Sequence, residues 1–102
     1  MLDDVPGALE IAILGSCLKL RGDLDISNCE QLRKSMQALF EAGHTAMQID
    51  LEHVRYIDSV GVAAILKARA HLKQHGRQLQ LTGASAQIRC VFRLLGLEPL
   101  LS

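Results

Sequence analysis

Apolar residues recur along the chain with two periods, every second position and every third to fourth. Residues 8–14 are apolar apart from Glu10 and read as a strand. Gly15-Ser16 reads as a turn and residues 17–21 as a second strand, so the two predict a hairpin. Gly22-Asp23-Leu24-Asp25 reads as a loop. Ser27 and Glu30 have the Ser-x-x-Glu spacing of a capping box. Behind them Cys29, Leu32, Met36, Leu39 and Phe40 fall on one helical face, with Arg33, Lys34 and Gln37 on the other. Gly43 is placed to end that helix.

The alternation then returns. Met47, Ile49 and Leu51 alternate with Gln48 and Asp50, which predicts a strand over 46–51. Residues 54–57 form a short apolar approach to Asp58-Ser59-Val60-Gly61. A second helix runs from Ser59 to about His75 with Val62, Ile65, Leu66, Arg69 and Leu72, and Gly76 ends it. Residues 78–82 read as a strand with Leu79 and Leu81 facing inward. Ser85 caps a last helix holding Ile88, Val91, Phe92 and Leu95, closed by Gly96. The tail after it is apolar enough to pack back. The order β-β-α-β-α-β-α predicts one α/β domain over residues 1–102. Its central mixed, mostly parallel sheet has about four strands, packed with about three main helices on one face.

Composition narrows the picture. At 102 residues, 49% of them hydrophobic, the chain has enough apolar surface for one packed core. Aromatics are 3% and Trp is absent, so Leu, Ile, Val, Ala and Met must build that core. Eleven basic and eleven acidic residues give zero net charge, which removes the usual drive for nucleic-acid binding or a polybasic membrane anchor. Net charge does not describe its distribution, so a local patch stays open. The longest apolar run, residues 60–66, is too short for direct membrane insertion. Met1-Leu2-Asp3-Asp4 lacks the basic start of a signal peptide, and the expected setting is cytoplasmic. Cys17, Cys29 and Cys90 are odd in number and widely spaced, so reduced and mostly buried thiols are expected rather than disulfides or a metal site.

Chemistry concentrates at Tyr56-Ile57-Asp58-Ser59-Val60-Gly61-Val62, where an apolar strand end meets Asp-Ser and a helix begins at once. Asp58 suits the N-cap, and Ser59 falls on the first turn. Unpaired N–H groups and the helix dipole there would stabilise a phosphate on Ser59. The plainer reading is that Asp58 and Ser59 only cap the helix while Gly61 permits close approach to a strand. Other candidates are thinner. His71 and His75 are four apart, but no further ligand is poised to complete a metal set. No Gly-x-Ser-x-Gly elbow and no Gly-rich phosphate loop occurs. Neither an enzyme nor a bound cofactor is expected.

These residues, in this order, resemble the STAS domain family, and within it the stand-alone anti-sigma factor antagonists. Gly22-Asp23-Leu24-Asp25 resembles the family's Gly-Glu-Leu-Asp loop. Ile49-Asp50-Leu51 through Gly61 resembles its Asp-Ser-(Ser/Thr)-Gly segment, and residues 79–83, Ile88-Arg89 and 94–97 its closing strand and helix. The resemblance implies that Ser59 is phosphorylated by a partner that is both a serine kinase and an anti-sigma factor. The unphosphorylated domain would bind that partner, and a PP2C-type phosphatase would restore it. It also implies a partner-binding surface of Asp23, Asp25, Asp58, Ser59, Val60, Gly61 and Val62, with Asp25 as the loop acid near the phosphorylation site. Asp23 departs from the family's Glu, Val60 from its second hydroxyl, and Val62-Ala63 from a common Leu-Gly pair. Relatives of the same fold imply an alternative: an accessory subunit of a lipid-transport ABC system, docking on its ATPase.

Overall fold

The computed structural model describes residues 8–102. The expectation drawn from Met1 to Asp4 lies outside them. Two strands open the fold, β1 (Leu9–Leu14) and β2 (Cys17–Leu24), paired antiparallel from Leu9 opposite Gly22 to Leu14 opposite Cys17. Gly15, at φ 60°, makes the turn between them. Two more strands, β3 (Ala46–Ile57) and β4 (Gln78–Thr82), add in parallel, giving the order β1-β2-β3-β4. The helices are α1 (Cys29–Glu41), α2 (Ser59–Gln74) and α3 (Ala86–Leu94), with a 3-10 turn at Glu98–Leu100. The expected mixed four-stranded α/β architecture is what forms.

One face of the sheet supplies Leu18, Leu20, Leu24, Ile49, Leu51 and Leu81 to a single core. All three helices fill it: Leu32, Met36 and Leu39 from α1, Val62, Ile65 and Leu72 from α2, Ile88 and Phe92 from α3. The opposite face is polar. There Lys19 Nζ stands 3.8 Å from Asp50 Oδ2, and Gln48 Nε2 donates to Thr82 Oγ1 at 2.8 Å. The tail packs back as expected: Leu101 bridges to Leu81, and Ser102 N donates to Leu81 O at 2.9 Å.

Four expectations are corrected. Gly22, Asp23 and Leu24 are not a loop but the end of β2, which continues past two register shifts. Gly22, at φ 107°, allows this because a Cβ there would collide with the carbonyl of Ala8. Second, residues 46–57 are one strand. Glu52 and His53 break the alternation, yet Leu51, Val54 and Ile57 all stay buried. The pairing skips there from Lys19–Asp50 to Arg21–His53, and that irregularity resets the phase. Third, the capping box does not form. α1 begins at Cys29 with Asn28 in the N-cap position, the Ser27 hydroxyl turns to Asp25, and Glu30 pairs with Arg33. Fourth, the thiols are not mostly buried: Cys17 and Cys29 are half-buried and Cys90 is exposed. Partial burial, then the negative charge of Asp50, pushes the Cys17 thiol above its ordinary range.

Candidate functional site

β2 and β3 run parallel and end together, with Leu24 opposite Ile57. The segments that leave them, Asp25 onward and Asp58 onward, therefore emerge side by side at one edge of the sheet. Asp58 N donates to Leu24 O at 3.3 Å and ties the two exits together. In open α/β sheets this carboxyl edge is where ligands gather.

The second exit turns at once into α2. Asp58 has extended backbone, φ −102° and ψ 179°, and its Oδ1 accepts from Gly61 N at 2.7 Å. That is an N-cap, as the sequence predicts. Ser59 is the first helical residue and is exposed. Its hydroxyl has no hydrogen-bond partner among the described residues. Val60 is also exposed, at 37%. Gly61 and Val62 turn inward: Val62 is 2% exposed and sits in the core, and Gly61 rests against the Leu24 carbonyl. Of the four, only Ser59 and Val60 offer side chains to a partner; Gly61 and Val62 seat the helix beneath them.

The first exit is held by a residue the sequence reading passed over. Asn28 is 4% exposed and is the one buried polar residue among those described. Its Oδ1 accepts from Asp25 N at 3.0 Å, and its Nδ2 donates to Asp23 O at 2.7 Å. Asn is a good N-capping type, yet this side chain makes no cap bond to α1. It points back into the loop. Asp25 Oδ1 in turn accepts from Ser27 N at 2.9 Å and from Ser27 Oγ at 2.6 Å. Asp23 lies on the polar face, 3.6 Å from Arg55 Nη2. The signal for Asn28 was its position, directly before the helical period.

Asp25 and Ser59 thus share one edge, each on a fixed backbone. Exposed apolar residues stand with them, Ile26 at 71% on the first exit and Val60 on the second. Val60 also opens onto a groove of about 420 Å³ between α1 and α2, lined by Leu32, Met36, Phe40, Ala64 and Lys67. His71 and His75 lie against Phe40, with centroids 4.8 and 5.0 Å from its ring, and among the described residues no group of three metal-ligating side chains forms. No helix of the described residues is long and apolar enough to cross a membrane.

What the arrangement can do is present a hydroxyl at a helix N-terminus to an incoming protein. The Ser59 and Val60 N–H groups of this first turn have no acceptors among the described residues.

The family model described as "Mlab, STAS domain" matches residues 10–102. The chain is 27% identical over 84 residues to the anti-sigma-B factor antagonist of Staphylococcus aureus strain NCTC 8325 / PS 47, covering 82% of this chain and 78% of that one. Among solved structures it is similar to the unphosphorylated anti-sigma factor antagonist SpoIIAA, with TM-score 0.75 and 24% identity over 93% of this chain and 86% of that one. The phosphorylated Bacillus SpoIIAA gives TM-score 0.67 and 25% identity over 93% and 89%.

Proposed function

We propose that this chain, which belongs to the STAS domain family, acts as an anti-sigma factor antagonist switched by phosphorylation of Ser59. Unmodified, it binds an anti-sigma factor that is also a serine kinase. Modified, it lets that partner go, and a PP2C-type phosphatase resets it. The domain is a binding module in the cytoplasm with no chemistry of its own. The observation that carries this reading is Ser59 itself: an exposed hydroxyl at the first position of α2, beside an N-cap that orders the turn. The names of the similar proteins support the same role.

The switch follows from electrostatics. A phosphate adds about −1.5 to −2 charges. At the free helix N-terminus, facing water, the fold accommodates that charge. A partner covering the site must desolvate it beside the Asp58 carboxylate, which opposes binding unless a cation answers it. The blockade is local, and the fold persists.

Incubation with the kinase and ATP should add one phosphate, located on Ser59 by mass spectrometry and absent in Ser59→Ala. Labelling unchanged in that variant would overturn the assignment and turn attention to Ser27, Ser35 and Ser85.

A second reading, an accessory subunit of a lipid-transport ABC system, draws on the family description, which names Mlab. It would dock α2 on a transporter ATPase, with affinity indifferent to the state of Ser59.

A further inference from the structure

The two edges of the sheet are finished differently. On the outer side of β4 the tail lies along the strand: Leu101 bridges to Leu81, and Ser102 N donates to Leu81 O at 2.9 Å. β1 is the other edge strand, with β2 beside it in the sheet. Ala8 O accepts from Asp23 N at 2.9 Å, which sets the phase of the ladder. Glu10, Ala12 and Leu14 exchange bonds with Arg21, Lys19 and Cys17, and Leu9, Ile11 and Ile13 turn their N–H and C=O groups outward. The Gln31 side chain answers one of these groups, donating Nε2 to Leu9 O at 3.2 Å. Among the described residues nothing meets the outward groups of Ile11 and Ile13.

A bare edge is normally blunted by Lys, Pro, a bulge or a covering segment. β1, Leu-Glu-Ile-Ala-Ile-Leu, carries Glu10 but no Lys, Arg or Pro. Its register with β2 runs without a shift from Leu9 to Leu14. Its apolar side chains are uncovered at the hairpin end: Ile13 is 49% exposed, although Leu18, directly opposite it, is fully buried. Ile11 and Ile13 stand opposite Leu20 and Leu18, so both project from the face that carries the core and the helices.

We infer that β1 pairs antiparallel with β1 of a second copy of this chain, about a two-fold axis at Ala12, and joins two sheets into one. The strand is complementary to itself in that register. Ile11 stands opposite Ile13 on each side of the axis, and each such pair exchanges both backbone bonds. Ala12 stands opposite Ala12, at the close spacing of a non-hydrogen-bonded pair, where a methyl group fits. Glu10 falls opposite Leu14, so the two carboxylates stay about 13 Å apart along the strands. The isoleucines of both copies close into one apolar cluster on the helix side of the seam. This self-complementarity selects a second copy over an unrelated extended segment. A seam of one strand pair is small, so the association is weak and reversible. β2 runs toward the Ser59 edge, and the axis reverses it in the second copy. The two Ser59 edges therefore lie at opposite ends of the joined sheet, and both stay open.

Sedimentation velocity of the full chain tests the association, and amide hydrogen exchange places it. Reductant is kept present because Cys90 is exposed. Between about 10 µM and about 1 mM protein the weight-average sedimentation coefficient should rise from monomer toward dimer. Over the same range the Ile11 and Ile13 amides should slow in exchange about threefold or more, while those of Glu10 and Ala12, already bonded to β2, hold. Ile13→Lys sets a charge in the seam and should weaken association about tenfold or more, with the melting temperature held. Ile13→Thr, which keeps the β-branch, should fall between. Ser59→Asp should associate as the wild type does. A wild type still monomeric at about 1 mM overturns the inference. So does a dimer whose Ile11 and Ile13 amides exchange as in the monomer, since its seam lies elsewhere. Undiminished association of Ile13→Lys, or association lost in Ser59→Asp, overturns it as well.

Discussion

Gly61 rests on the backbone of Leu24: a Cβ at position 61 would stand 2.5 Å from the Leu24 carbonyl oxygen and 3.0 Å from Ile57 Cγ1. The contact joins the first turn of α2 to the end of β2, and so fixes Ser59 relative to the Asp25 loop. In an open helix, Gly to Ala stabilises by roughly 0.5–1 kcal/mol. Here the sign should reverse. Gly61→Ala is expected to lose about 1–3 kcal/mol in urea denaturation, because backbone must move to admit the methyl group. A stabilised variant would mean that α2 is not seated on β2 as described.

Asp58 orders the same turn from the other side, through its bond to Gly61 N. Asp58→Ala should cost about 1 kcal/mol, whereas Asp58→Asn, which keeps the acceptor, should cost a few tenths. Paired thermal melts separate the two. Equal losses would show that the carboxylate charge, not the cap bond, matters at that position.

Much of this was legible in the sequence, and the failures have physical causes. The α2 cap, the start of that helix at Ser59 and the bounds of β4 follow from local pattern, since N-cap chemistry and clean alternation are short-range signals. The end of β2 and the continuity of β3 were hidden. A register irregularity is decided by the neighbouring strand, and only pairing shows that Glu52 and His53 reset the phase. Ser27 satisfied the capping-box spacing but lost its role to Asn28 and Asp25, whose side chains compete for the same turn.

Asn28 holds the first exit rather than its own helix. Asn28→Ser replaces it with an equally good capping residue that cannot span Asp25 N and Asp23 O. Global stability should change little, while amide exchange at Asp25, Ile26 and Ser27 speeds up and binding of the anti-sigma factor weakens. Asn28→Ala should show the same local loosening. Unchanged exchange at those three amides would contradict the positioning role.

For Asp25 two accounts compete, a partner contact or a structural brace for the loop. Asp25→Asn retains the Oδ1 that accepts from Ser27. Its melting temperature should therefore be nearly unchanged while partner binding or phosphorylation falls. A loss on the order of 1 kcal/mol with intact binding would favour the brace.

The central claim is that a phosphate on Ser59 blocks a preformed surface. The most direct measurement is calorimetric affinity for the anti-sigma factor, comparing the unmodified protein with the same protein phosphorylated on Ser59. A penalty of roughly 3 kcal/mol corresponds to more than a hundredfold weaker binding, and at least that loss is expected, with Ser59→Asp falling between the two. Equal affinity of the phosphorylated and unmodified proteins would contradict the account.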